Sequence, residues 1–189
     1  MSVLAGMMIA LGAIVYLKVG GVAGALLFSV GLMTVLAFEM KLFTGKVGLL
    51  ANRQIKLTEL VEIFVGNMVG VCIVVLLVSV TPLAIPISEA AAAIVAVRIT
   101  NSFITNLIYG LFCGILMYIA VMGYKQTGNW LFSIVPVAVF ILSGFNHCVA
   151  DMFYIAFGGG GRASLLSLLA TTIGNSVGGN IIPFIKGKS

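Results

Sequence analysis

The sequence predicts an all-α integral membrane protein with six transmembrane helices, arranged as two inverted repeats of three. Three observations predict it. The chain is 61% hydrophobic and 8% charged, whereas a soluble domain carries about 25% charged residues. Its apolar residues gather in long charge-free runs, and roughly 20 such residues cross a bilayer as a helix. One motif, apolar-Gly-Asn-x-Val-Gly, occurs twice, as Val65-Gly66-Asn67-Met68-Val69-Gly70 and as Ile173-Gly174-Asn175-Ser176-Val177-Gly178. Helix is the required element, because an open strand leaves backbone groups unsatisfied in hydrocarbon. Twenty-three glycines against four prolines suit helices whose backbones approach closely.

The first span is expected over residues 2–17. It has no basic segment before it and Lys18 after it, so it reads as a retained span and not as a cleaved signal. The second is expected over 19–38 and the third over 63–80, ending before Thr81-Pro82. Pro82, Pro86 and Glu89 read as a connector. The remaining spans are expected over 99–124, 126–150 and 163–185. The chain is expected to form one transmembrane domain with repeats over 1–89 and 90–189. Three spans is an odd number, which inverts the second half relative to the first. Basic residues mark the cytoplasmic side. Lys41, Lys46, Arg53, Lys56, Lys125, Lys186 and Lys188 fall on one side, against Lys18, Arg98 and Arg162 on the other. Both termini are therefore expected in the cytoplasm, with the protein in the inner cell membrane.

Inverted repeats of this kind build sites near the midplane from interrupted helices. The second helix runs into Glu39-Met40-Lys41-Leu42-Phe43-Thr44-Gly45-Lys46. At the matching place the fifth contains Pro136, then Gly144, Asn146 and His147. Backbone exposed at such breaks is tolerated only where it lines a cavity or is buried in protein, and helix N-termini there favour anions. His147 is the sole histidine, inside a run (126–150) free of Lys, Arg, Asp and Glu. An ionisable residue in a span is a functional candidate by default; the competing reading is a histidine held by a neighbouring helix for packing alone.

Other classes are disfavoured. Cys72, Cys113 and Cys148 lie in apolar runs without ligand spacing and read as small buried residues, so no metal or cofactor is implied. No Gly-x-Ser-x-Gly and no paired carboxylates suggest an enzyme, and no basic-aromatic surface suggests a nucleic-acid partner. The strongest rival is an aquaporin-like channel for a small neutral solute, against which stands the lack of any Asn-Pro-Ala motif.

Three segments together resemble the formate/nitrite transporter family. The family's second-helix Glu-Leu-Phe-Thr-Gly is matched by Lys41-Leu42-Phe43-Thr44-Gly45. Its third-helix Gly-Asn-x-x-Gly is matched by Gly66-Asn67-Met68-Val69-Gly70. Its fifth-helix Gly-Phe-Glu-His-Ser-x-Ala-Asn-Met is matched by Gly144-Phe145-Asn146-His147-Cys148-Val149-Ala150-Asp151-Met152. Order and spacing agree over nearly the whole chain. The resemblance implies an aquaporin-like fold, a homopentamer with one pore per protomer, and small monovalent weak-acid anions such as formate, nitrite or hydrosulfide as substrates. Thr44 and His147 would face the pore centre, with Asn146 beside them. Phe28, Leu32, Phe43, Met117 and Phe140 would form apolar constrictions, and Arg98 would guard the outer vestibule in place of a lysine. The chain departs from the pattern at Lys41, Asn146 and Asp151, and at Gly114, which replaces a fourth-helix asparagine. The family's N-terminal gating is not expected to carry over.

The implied mechanism follows from solvation. A dry constriction rejects a bare anion, whose idealised burial costs on the order of 20 kcal/mol, while a neutral weak acid passes. His147, with an ordinary pKa of about 6.5, is expected either to exchange the proton or to donate a hydrogen bond. Lys41 and Asp151, one of each sign beside the two breaks, are expected to pair; the competing reading is that Lys41 reaches cytoplasmic water and Asp151 caps a half-helix.

Overall fold

The computed structural model describes residues 1–187; Lys188, placed above in the C-terminal tail, lies outside the described residues. Four helices are long and apolar enough to cross a membrane: α1 (Ser2–Val19), α4 (Leu57–Ser79), α6 (Phe103–Thr127) and α9 (Gly161–Lys186). Two further paths are broken, as expected. In the first, α2 (Gly21–Ala37) is followed by a short α3 (Phe43–Lys46) and a 3-10 turn, Val47–Leu49. In the second, α7 (Leu131–Leu142) is followed by α8 (Cys148–Gly158). Large side chains such as Leu76, Leu77, Leu165 and Leu166 point outward, more than half exposed, which gives the bundle an apolar exterior.

Two details of the expected layout are corrected. The segment around Pro82, Pro86 and Glu89 is not a plain connector: α5 (Ala84–Thr100) occupies most of it. Pro86 sits in the first turn, where a missing N–H breaks no helical bond. Ile87, Ala91, Val95 and Arg98 form its buried stripe, laid against α8. Pro136 does not interrupt its helix either, since α7 continues through it to Leu142. The break comes at Ser143–His147 instead, where Gly144 takes φ 71°, a conformation that only glycine adopts without strain.

The two Gly-Asn motifs make matching bonds. Asn67 Oδ1 accepts from the Phe43 N–H at 2.8 Å, and its Nδ2 donates to the carbonyls of Lys41 and Ser2 at 2.9 and 2.8 Å. Asn175 Oδ1 accepts from the Cys148 N–H at 2.9 Å, and its Nδ2 donates to the carbonyls of Asn146 and Gly110, both at 2.8 Å. Each asparagine therefore bonds the first amide of a half-helix, a carbonyl just before it, and a carbonyl of a neighbouring helix. Backbone polar groups buried at a break must find such partners. Gly114 has a reason of the same kind: a Cβ there would stand 2.9 Å from Asn175 Cα, so the family's asparagine has no room at this position.

Candidate functional site

The two half-helices α3 and α8 bring Thr44 and His147 together. Thr44 Oγ1 lies 2.8 Å from His147 Nε2, and both side chains are almost fully buried. His147 is also the N-cap of α8: the Ala150 N–H donates to its Nδ1 at 3.2 Å. That bond assigns the tautomer. Nδ1 is an acceptor, so the ring hydrogen sits on Nε2 and is donated to the threonine oxygen. The imidazole stacks on Phe140, with centroids 5.5 Å apart and planes 16° apart, and Phe140 meets Phe28 edge to face at 6.0 Å.

A cavity opens on each side of this centre. The larger, of about 620 Å³, is lined by Leu32, Leu42, Gly45, Val121 and Tyr124, with Glu39, Lys46 and Lys125 as its charged residues. The smaller, of about 310 Å³, is lined by His147, Phe140, Arg98, Asp151 and three tyrosines, Tyr16, Tyr109 and Tyr154. Tyr109 and Val121 lie twelve residues apart on α6, about 18 Å at 1.5 Å per residue. The cavities thus belong to opposite ends of the bundle, with Thr44–His147 and the phenylalanines between them.

Arg98 spans the smaller cavity from the last turn of α5. Its Nη1 donates to Gly144 O at 2.8 Å and its Nη2 to Phe145 O at 3.5 Å, tying it to the break before α8. Its Nε stands 3.6 Å from Asp151 Oδ1, and both side chains are at least nine-tenths buried. Neither Asp151 oxygen accepts a hydrogen bond from any described residue.

The remaining candidates separate into two groups. Leu32 lines the larger cavity and Phe140 the smaller, and Phe28 joins Phe140 between them. Met117 is buried but lines neither, and Phe43 packs on Phe64 at 5.0 Å. Asn146 faces away from both cavities. Its Nδ2 donates to Asn106 Oδ1 at 3.0 Å and to Thr171 Oγ1 at 3.2 Å, so it anchors the break to α6 and α9. The expected pairing of Lys41 with Asp151 is overturned. Lys41 Nζ bonds Glu59 at 3.0 Å on an exposed surface, and Asp151 faces Arg98. Lys41 ends on the solvated side of the first break, next to the buried Leu42. Nor do the half-helix N-termini offer their amides freely: Asn67 takes that of Phe43, Asn175 that of Cys148, and His147 that of Ala150.

The sequence reading missed the tyrosines, Asn106 and Thr171. Asn106 carried a usable signal, being an amide inside an otherwise apolar span. The tyrosines carried none, because aromatic residues at span ends are ordinary membrane-interface residues.

The formate/nitrite transporter family model matches residues 1–185. This chain belongs to the formate/nitrite transporter family. It is an integral membrane protein, as the family's channels are. It is 27% identical over 150 residues to the formate channel FocA of Haemophilus influenzae, an alignment taking in 71% of this chain and 53% of that relative. The match therefore covers about half of the relative's length. Among solved structures, an FNT family ion channel superposes with a TM-score of 0.81 at 24% identity, covering 98% of this chain and 86% of that one. A pentameric formate channel with formate bound superposes with a TM-score of 0.79 at 25% identity, covering 96% and 91%.

Proposed function

We propose that this transporter-family protein is a channel for small monovalent weak-acid anions, formate and nitrite among them, which cross each protomer accompanied by a proton. The observation that carries the reading is the buried Thr44–His147 contact held between two cavities and walled by Phe28, Phe140 and Leu32. A bare anion in so dry a passage loses its hydration with no cation to replace it, and that cost is prohibitive. The neutral acid loses far less. The His147 ring donates to Thr44, which leaves the threonine hydroxyl hydrogen free to turn toward a passing carboxyl or nitrite oxygen. Since Nδ1 already serves as the cap of α8, protonating it would break that cap. His147 therefore acts here as a hydrogen-bond donor, and the proton is exchanged elsewhere.

The membrane arrangement belongs to the same proposal. The paired fragments α2–α3 and α7–α8 supply two spans beside α1, α4, α6 and α9, giving six. The matched bonds of Asn67 and Asn175 support two inverted repeats, with α5 a helical link between them. The basic residues around Lys46 and Lys125 favour an inner-membrane protein with both termini cytoplasmic. The likeness to a pentameric channel, with the apolar exterior, supports a homopentamer.

Purified protein in liposomes loaded with a pH dye tests the transport reading. Formate, nitrite and hydrosulfide should each acidify the lumen, faster at lower external pH. Water or urea permeability without any acid flux would refute it in favour of a neutral-solute channel. Native mass spectrometry in detergent should give five chains; a stable monomer or trimer would refute the assembly.

A further inference from the structure

Among the described residues Asp151 is the one buried acid, and it is the chain's sole aspartate; the other acids are Glu39, Glu59, Glu62 and Glu89. It sits in the first turn of α8 and lines the smaller cavity with His147 and Arg98. Two features set it apart from a structural ion pair. Its oxygens make no hydrogen bond of good geometry with any described residue and face only the Thr171 hydroxyl and Arg98 as donors, whereas a buried carboxylate kept for stability is normally saturated with donors. Its contact with Arg98 runs through Nε at 3.6 Å, too long for a hydrogen bond. Meanwhile Arg98 is fixed by its Nη1 and Nη2 bonds to the carbonyls of Gly144 and Phe145. The guanidinium is thus anchored independently of the carboxylate, and its buried Nε faces Asp151 without bonding it.

With one cation and one carboxylate, the cavity carries no net charge and does not attract an anion. An anion that approached Arg98 would meet the Asp151 charge at close range. That repulsion is removed if the carboxylate takes a proton as the anion arrives. The other titratable groups facing this cavity are Tyr16 from α1, Tyr109 from α6, and His147 and Tyr154 flanking Asp151 on the α8 path. Buried beside them are the Cys113 and Cys148 thiols. None of these is a carboxylic acid placed against the arginine, and the His147 Nδ1 is committed to its cap.

We propose that Asp151 is the proton-loading group of the pore and that Arg98 is a cation with two alternative partners. In the resting cavity Arg98 faces the Asp151 carboxylate. When a weak-acid anion enters, Asp151 takes a proton from a hydronium ion and becomes a neutral carboxylic acid, and Arg98, held in place, keeps a charge that is no longer cancelled and faces the anion. The carboxylic acid O–H bond then breaks as the proton passes to the anion oxygen. Neutral acid is released toward the constriction, and the Asp151 carboxylate returns to Arg98. One anion and one proton leave together, with no net charge moved. This inference rests on the weak-acid reading above.

The test uses nitrite as the probe, because it has no carboxyl group of its own. Infrared difference spectra of the wild-type protein in lipid, with and without nitrite, should show a protonated-carboxyl C=O band appearing on binding. The Asp151→Glu variant should keep the band at a shifted frequency, and Asp151→Asn should lack it. In liposomes the wild type should move nitrite with no electrical current. Asp151→Asn leaves Arg98 uncompensated, so it should bind nitrite with an affinity that no longer rises by about tenfold per unit fall in pH. It should also lose electroneutral nitrite flux, because the unprotonated anion cannot cross the dry constriction. A spectrum without the band, or a band and electroneutral flux that survive in Asp151→Asn, would overturn the proposal. If the asparagine variant does not assemble, the wild-type band and its shift in Asp151→Glu decide alone. A wild type that acidifies vesicles but gives no carboxyl band leaves the weak-acid reading standing and removes only this role. A wild type that moves no weak acid removes both.

Discussion

Replacing Asn175 by leucine tests what its three hydrogen bonds contribute, because the side chain keeps its branched outline and loses its polar atoms. Asn175 is fully buried and bonds the Cys148 N–H, the Asn146 carbonyl and the Gly110 carbonyl at 2.8–2.9 Å. The Gly110 carbonyl lies in the middle of α6 and keeps its helical partner, so it contributes little. The other two groups border the break, have no helical alternative and would be left unpaired. At about 1–3 kcal/mol for each buried orphan, the loss is about 2–6 kcal/mol. Interhelical side-chain bonds in membranes average nearer 0.6 kcal/mol, but there the freed groups find other partners, and a buried break offers none. Titration of the detergent-solubilised protein with a denaturing detergent, followed by circular dichroism, measures the change. Asn67→Leu should lose less, because both carbonyls it bonds, those of Lys41 and Ser2, are only part-buried and can turn to water. A loss below about 1 kcal/mol for Asn175→Leu would refute the idea that this residue holds the break, since even one orphaned group should exceed it.

Three other outcomes follow from the site. His147→Phe should assemble normally, since a phenyl ring can stack on Phe140 in its place, yet weak-acid flux should fall at least tenfold; flux within twofold of wild type returns His147 to a packing role. Thr44→Val removes one hydroxyl at nearly constant shape and strands the His147 Nε2–H; uptake of nitrite and formate should drop together, and a variant as fast as wild type would remove threonine from the pathway. Lys41→Met breaks only the exposed pair with Glu59, so stability should change by no more than about 1 kcal/mol. A severe folding defect there would restore a buried role for this lysine.

The helices were legible because lipid demands long charge-free runs, and both breaks were legible because Gly144, Asn146 and Lys41 are out of place in such runs. The two asparagines were legible as a pair through their repeated glycines, and Thr44 and His147 through motif spacing. What failed depended on solvent geometry. Lys41 was placed by its distance along the chain from the break, but the break turns it outward to Glu59. The real partner of Asp151 is Arg98, which lay in a segment whose prolines disguised a helix. The buried spacing of Ile87, Ala91, Val95 and Arg98 was a helical stripe that could have revealed it. Pro136 misled in the opposite direction: it lies inside α7 and removes one helical bond, yet the helix continues past it to Leu142.

The unequal charge of the two cavities has a kinetic consequence. On one side Lys46 and Lys125 against Glu39 leave a surplus of one positive charge; on the other Arg98 and Asp151 cancel. Anions diffusing toward the first mouth are drawn in, while those approaching the second are not. Screening acts over about 8 Å at physiological ionic strength. Dilute-salt uptake from the Lys46 side should therefore outrun uptake from the Arg98 side, and the difference should shrink as inert salt is added. At equilibrium the two directions must still balance, because fixed charges change how quickly a passive pore fills but not the concentrations it settles at. If the Lys46 side faces the cytoplasm and the pore carries weak acids, as proposed, a cell would gain a fast exit for its own acidic waste when salt is scarce, without any added capacity to retain it.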